Sequence, residues 1–448
     1  MNNFDPIFVQ HCDGASSCWL SRDSAVGEPH YSLRDLAEHD GVLQSHLEGL
    51  QLAGEDGWQL AVEGLEWGEP GEVFVAALLA LDSGDETRID RLLQTVGDSA
   101  ELRRPLISAL GWLPWPAAEP LAIRFAASDQ PFLRYAGVAA FEVQRRDPGD
   151  RLANWLDDPD PTVQARACQA VGTLARRDLL DRVESFAESG DVRLAANACW
   201  TRALLLQDAR VIERLLEWAQ ADDADAERAA RPLMSMLPLD RACELVNQLT
   251  SGSQSQCRLA TVLSGLLGIP DSVPWLIEMM RQPEYARVAG ESFARITGLR
   301  LDQRPLEGEW PDGFEAGPND DPNDENVEMD ADENLPWPDA AVVANWWNTH
   351  GDHFQTNVRY LLGWEIANAS WLRKILVLGR QRERATAALE LALAHPAEGL
   401  FEVRANGNCQ KQQLHAARLP SEEYRCNHLE AGPQGDATWL QSLDAPSG

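Results

Sequence analysis

Lysine is almost missing from this sequence. Of 448 residues only Lys374 and Lys411 are lysines, and the 38 basic residues are outnumbered by 71 acidic ones, a formal net charge of −33. Nucleic acid and anionic membrane surfaces repel such a chain, because both need a positive patch that neutralises phosphates and releases counterions. A basic or mixed-charge protein is the partner this balance favours, and charge of this size also keeps copies of a large protein apart. Long apolar runs are missing too: none approaches the roughly 18 residues of a membrane span, and no basic segment followed by an apolar one opens the chain. Neither a membrane partner nor a nucleic-acid partner is expected, and the expected location is the cytoplasm.

The motifs of the common catalytic sites are absent as well. There is no Gly-rich phosphate loop, no Gly-x-Ser-x-Gly elbow and no His-Glu-x-x-His. The eight cysteines are scattered; Cys12 and Cys18, six apart, match no common zinc spacing, and Cys168 and Cys199 lie in apolar runs where a thiol packs as a small hydrophobe. His350-Gly-Asp352-His353 is the one compact titratable group with a metal or acid/base flavour, but Gly351 interrupts the helix that would align its imidazoles. Cys409 and His415 have no orienting third group beside them. Asp330-Ala-Asp332-Glu-Asn334 begins like a calcium loop, yet position six is Leu335 instead of Gly and position twelve Ala341 instead of Glu. No catalytic residue, cofactor or bound metal is therefore expected.

What the chain does contain is a repeat. Leu102-Arg-Arg-Pro-Leu, Leu133-Arg-Tyr-Ala-Gly, Val163-Gln-Ala-Arg-Ala, Val192-Arg-Leu-Ala-Ala and Ala286-Arg-Val-Ala-Gly look like copies of one helix start, the first four at spacings of 31, 30 and 29 residues. Three of them follow an acidic or proline cluster that caps a helix (Asp129 to Pro131, Asp157 to Pro161, Gly190-Asp191). A period near 30 means helical hairpins, and one hairpin cannot bury its apolar stripe alone, so the units must stack into a solenoid with a long binding surface.

Each first helix is rich in Ala and Leu, while each second helix carries bulkier stripes at i, i+3 and i+4: Leu152, Trp155 and Leu156; Val183, Phe186 and Ala187; Ile212, Leu215, Leu216 and Ala219. The opposite face then presents Arg151 and Asn154, Arg182 and Glu188, Arg214 and Glu217 as an inner wall and candidate protein-binding set. The arginines recur at 31 and 32 residues but alternate with Glu184, Glu188, Glu213 and Glu217, a mixed sign that suits protein better than phosphate. Sixteen tryptophans exceed what such a core needs. Trp112 and Trp115 stand at an inter-helix turn, and Trp347 adjoins Trp346 where one narrow stripe cannot bury both; these three join the candidate set.

The expected organisation is an N-terminal helical cap (1–69), a repeat solenoid (70–301), an acidic linker (302–338), a C-terminal helical cap (339–419) and an irregular tail (420–448). Ser32 reads as a helix cap ahead of an apolar face. Between Glu307 and Glu333 there are twelve acidic residues and no Lys or Arg, which reads as a solvated loop or flexible linker. Beyond it, Ala340 to Trp347, Val358 to Trp364, Trp371 to Leu378 and the run from Arg382 to His395 are expected to form the cap.

The repeats resemble HEAT repeats, so the fold class expected is an all-α, HEAT-like, right-handed α-solenoid. The larger pattern resembles a family of uncharacterised bacterial HEAT-repeat proteins in Tyr31-Ser-Leu-Arg-Asp-Leu-Ala, Gly57-Trp, Trp67-Gly-Glu-Pro-Gly-Glu-Val-Phe, Ser108-Ala-Leu-Gly-Trp-Leu, Gly290-Glu-Ser-Phe-Ala-Arg-Ile-Thr-Gly-Leu, Arg359-Tyr-Leu-Leu-Gly and the run from Gly379 to Leu393. Members are often encoded near type VI secretion cargo genes. The resemblance implies a non-catalytic adaptor or chaperone for a secreted protein or secretion component, or an immunity protein that blocks a toxin. The competing class is an enzyme, either a metal-dependent hydrolase using the His350–His353 segment or one acting on nucleic acid through the arginines.

Overall fold

Capping side chains set where many of the helices begin. The computed structural model describes residues 4–97, 99–222, 226–302, 306–317 and 329–416, and among these are 22 α-helices and one two-stranded hairpin. The architecture is an all-α solenoid. The described residues divide into two units, those within 1–211 and 392–418 and those within 212–391.

In the first unit α1 (Pro6–Ala25) starts where Asp5 accepts from the Ile7 amide, and α2 (Leu33–Ala53) starts at a full capping box of Ser32 and Asp35. Then come α3 (Glu55–Leu65) and the hairpin of α4 (Pro70–Ser83) and α5 (Glu86–Val96). Pro70 is the first residue of α4, the position where proline's missing N–H costs nothing. The next hairpins are α6 (Ala100–Trp112) with α7 (Trp115–Ala126), α8 (Pro131–Val143) with α9 (Arg151–Leu156), and α10 (Pro161–Thr173) with α11 (Leu180–Glu184); α12 (Val192–Leu206) follows. Asp160 and Asp191, in two of the clusters the sequence singles out, cap α10 and α12 through side-chain oxygens, and Ser99 caps α6; in the third cluster Gln130, ahead of α8, makes no side-chain capping bond and Pro131 alone opens the helix. First helices stack in chain order, α4 on α6, α6 on α8, α8 on α10 and α10 on α12.

The ends of these first helices repeat too. Arg145, Ala175 and Gln207 follow α8, α10 and α12 with φ of 50°, 56° and 51°. The Arg146 amide reaches back to Phe141 O (2.9 Å) and the Arg176 amide to Val171 O (3.0 Å), the closing bonds of a left-handed helix stop. Glycine usually occupies that position, and an L-residue there is strained.

In the second unit α13 (Ala209–Ala219), which crosses the divide, is followed by α14 (Ala226–Met236), α15 (Leu239–Leu249), α16 (Gln254–Leu267), α17 (Val273–Met279) and α18 (Ala286–Thr297). Next come α19 (Ala340–His350), the hairpin β1 (Tyr360–Leu361) and β2 (Trp364–Glu365), α20 (Ala369–Leu378) and α21 (Gln381–Ala394). The apolar run Val358 to Trp364, expected in a helical cap, is the hairpin: Leu362 and Gly363 both have positive φ, the geometry of a two-residue turn. Its backbone ends two helices at once, with Leu362 N donating to Arg295 O (2.7 Å) and Tyr360 N to Gly268 O (2.7 Å). Gly268 has to be glycine there, since its φ is +77° and a Cβ would lie 2.3 Å from Tyr360 O.

Two sequence expectations change. The C-terminal cap is divided: α19, α20 and most of α21 belong to the second unit, whereas the described residues from 392 onward, with α22 (Gly407–Ala416) on α2, belong to the first. The acidic stretch is not simply solvated in its described parts. Asp330 takes both terminal nitrogens of Arg287 (2.7 and 2.9 Å), Asp332 takes those of Arg258 (2.6 Å each), and Asp339 N donates to Leu306 O (2.9 Å). Arginine across from carboxylate on a neighbouring segment outweighs the tendency of an acidic, proline-broken run to stay in water. Residues 318–328 lie outside the described residues.

Two measurements test these arrangements. Ala175→Gly should stabilise the protein by roughly 0.5–1 kcal/mol in urea unfolding, because relief of left-handed strain exceeds the extra entropy of an unfolded glycine; a loss of stability would show that Ala175 is not strained. Asp302 accepts from Arg300 (2.8 Å) and Arg380 (3.0 Å); partial burial pushes its carboxyl up, but the two guanidiniums outweigh this and bring it from 3.8 down to about 2. A carboxyl depressed in the folded state stabilises above its unfolded pKa, and that contribution is lost as pH falls from 3.8 to about 2. Across that window the wild type should lose more urea resistance than Asp302→Asn; equal losses would remove Asp302 from the acid transition.

Candidate protein-binding surface

The second helices of the first unit turn their apolar stripes inward. Leu152, Trp155, Leu156, Val183 and Ala187 are buried, while Arg151 and Asn154 on α9 and Arg182 and Glu188 on and after α11 are exposed. Asp150, Asp157, Asp181 and Glu184 are exposed beside them, so the charge of this surface is predominantly acidic. Arg182 is engaged: its Nη1 donates to Asp157 (2.8 Å) and to Ala153 O (3.0 Å), one repeat back. Two short second helices are thereby held in register, with Arg151 and Asn154 on one and Glu188 past the other. Arg210 likewise pairs with Glu184 (2.7 Å).

Arg214 and Glu217 lie on α13 in the second unit. Glu217 is exposed, and the Arg214 guanidinium lies 5.2 Å from the centre of the Trp218 ring, a cation–π contact within its own helix. The three arginines thus have different surroundings and do not form a uniform positive ladder.

The three candidate tryptophans are in packing positions. Trp112 donates through Nε1 to Gln44 (3.0 Å) and meets Phe74 edge-on, with the Arg22 guanidinium 5.8 Å from its ring. Trp115 meets Phe141 edge-on at 5.0 Å, with Arg146 near its ring. Trp346 and Trp347 both reach Phe293, at 5.8 and 6.3 Å, because α19 lies over α17 and α18 broadly enough for adjacent residues to share one aromatic cluster. Both rings are thus packed, where a single narrow stripe would have left one of them as a free contact. Trp67, which is in a resemblance motif but not in the candidate binding set, is 72 % exposed.

The sequence-level chemical candidates are also placed. The His350 ring stacks on Trp346 and shares a hydrogen bond of 2.8 Å between Nδ1 and Trp346 O, and its centre is 6.1 Å from that of His353. Burial pushes the thiols of Cys12 and Cys168 up to about 11 and about 12, away from nucleophilic use at neutral pH. Asp330 and Asp332, the first carboxylates of the calcium-like stretch, are occupied by arginines. Among the described residues no group of three or more His, Cys, Asp or Glu is arranged to hold a metal ion, and no described helix is long and apolar enough to cross a membrane.

Sequence reasoning missed the return of the C-terminal segment to the first unit. Arg145 Nε donates to Leu400 O (2.7 Å), Arg22 to Ala405 O (2.8 Å), and Asp40 accepts from Gly407 N (2.7 Å). These bonds join residues 255 to 383 positions apart and mostly use main-chain groups, so no side-chain pattern announces them. Gly399, with φ +73° against Thr173 O, is the nearest thing to a signal.

No curated protein matches the chain. A family described as HEAT repeats matches residues 149–233, the stretch from α9 to α14. Residues 149–233 are thus similar to HEAT repeats, which serve in general as protein-interaction scaffolds.

Proposed function

We propose that this chain is a non-catalytic scaffold that holds a basic or mixed-charge protein against the inner wall made by the solvent-exposed faces of its second helices. The observation that carries the reading is the α9–α11 surface, where Arg182 ties one repeat to the next and leaves Arg151, Asn154 and Glu188 exposed among Asp150, Asp157 and Asp181. A surface pre-set by cross-repeat bonds loses little freedom on binding, and its acidic balance favours encounter with basic partners. Arg214 and Glu217 on α13 are proposed as candidate protein contacts of the second unit taken by itself. In the most concrete version the protein is an adaptor or chaperone for a secreted cargo or secretion component, as the family resemblance suggests; an immunity role against a toxin is the alternative within the binding class.

The test is affinity capture from a native lysate at moderate salt with the wild type and an Asp150→Lys/Asp181→Lys/Glu188→Lys variant, followed by titration of the captured protein. The expected result is one dominant partner whose binding weakens about tenfold or more in the variant and also falls with added salt. A partner held equally by both proteins would move the site off these helices, and catalytic turnover of a captured protein would end the scaffold reading.

A further inference from the structure

We propose that His11 and His46 form a two-imidazole site for a transition-metal ion between α1 and α2, with the remaining coordination positions open to water or to a side chain of a bound protein. The inference is independent of the proposed binding surface.

The two helices carry the same four-residue pattern, His11-Cys-Asp-Gly14 and His46-Leu-Glu-Gly49. Where α1 and α2 pack, the patterns interlock. A Cβ added at Gly14 would lie 2.5 Å from His46 Cε1, and one added at Gly49 would lie 2.7 Å from His11 Cδ2, so each imidazole occupies the space left by the other helix's glycine. Glycine inside a helix costs about 1 kcal/mol relative to alanine. Both helices therefore give up intrinsic stability at the position that admits the facing ring.

The result is a close pair of nitrogens. His11 Nδ1 and His46 Nδ1 are 3.2 Å apart, with ring centres at 5.3 Å and planes at 70°. Without metal, one ring donates a proton to the other, which requires neutral imidazole on at least one side. Two imidazole nitrogens on a tetrahedral ion, each roughly 2.0–2.1 Å from the metal, are about 3.3 Å apart. A small pivot of the rings thus exchanges the shared proton for a cation. Both rings are partly exposed, which gives the ion an approach from solvent.

Imidazole selects nickel, copper and zinc, whereas calcium and magnesium require oxygen ligands. Among the described residues no third His, Cys, Asp or Glu completes the site. A four-coordinate ion would therefore keep two positions for exchangeable ligands, the arrangement by which a metal joins two proteins or stays labile.

The experiment titrates the full chain with Ni2+ near neutral pH by calorimetry, in parallel with His11→Gln, His46→Gln and, as a control, His353→Gln. One equivalent should bind to the wild type and to the control, and either substitution in the pair should weaken binding at least about tenfold. Gly14→Ala, which keeps both imidazoles and displaces the His46 ring, should weaken it as well. If the histidine variants lose helical circular dichroism, Cu2+ bound to the unaltered chain decides by electron paramagnetic resonance: coupling to two nitrogens supports the site. Binding indifferent to both histidines, oxygen-only coordination, or no saturable binding up to roughly millimolar Ni2+ overturns it.

Discussion

A first helix such as α8 or α10 packs on the second helix of the hairpin before it and has two further flanks to bury. α8 packs on α7 but also between α6 and α10, and α10 packs on α9 but also between α8 and α12. Small residues make this possible. Ala136, Ala139 and Ala140 on α8, and Ala165, Ala167 and Ala170 on α10, are almost wholly buried, so the helices approach closely on both sides. The 30-residue period follows from this constraint, since a hairpin much longer or shorter would present its small-residue face out of register with its neighbour's. Burial of that face is a property of the stack and of no single hairpin.

Stacking leaves the carbonyls at the helix ends to be satisfied, and the solutions come from distant sequence. Gln144 Nε2 donates to Leu110 O (2.9 Å) and Leu113 O (2.8 Å), closing the end of α6 from the end of α8. In the second unit the hairpin backbone closes α18, and Arg359 donates to Leu267 O (2.9 Å) at the end of α16. In the first unit Leu400 N donates to Thr173 O (3.0 Å). A buried helix end without such a donor would cost more than most surface contacts contribute. The segments that look irregular in sequence are thus the ones that make the regular part tenable.

This explains which features are legible in sequence. Helix starts are local: Asp160 or Ser32 caps an amide two or three residues away, and the cap and the apolar period identify the helix together. The buried and exposed faces of α9 are local in the same sense, so Leu152, Trp155, Arg151 and Asn154 fall on the sides the spacing assigns. Closure is not local. Apart from Gly399 itself, nothing local indicates that this segment meets Thr173, and nothing in Val358 to Trp364 separates a short helix from a hairpin until Leu362 and Gly363 are seen at positive φ. Side-chain engagement is equally hidden, as Arg182 and Arg214 have similar places in the repeat pattern but one bonds to the preceding hairpin and the other to its own tryptophan.

The scarcity of lysine has the same root. Arg134 grips Asp158 with two nitrogens (2.7 and 2.9 Å), Arg176 grips Asp178 in the same way (2.9 and 2.8 Å), and Arg258 and Arg287 do so with Asp332 and Asp330. Such two-pronged bonds need a planar guanidinium, and a lysine ammonium at the same place would hold the carboxylate with one donor direction and more freedom. The chain therefore commits much of its positive charge to internal clasps between loops and helices. The acidic residues outnumber those clasps and supply most of the charge that remains exposed. The negative character of the exposed surface is consequently a by-product of how the repeats are fastened, and a mutation that loosens a clasp changes both the fold and the field at that surface.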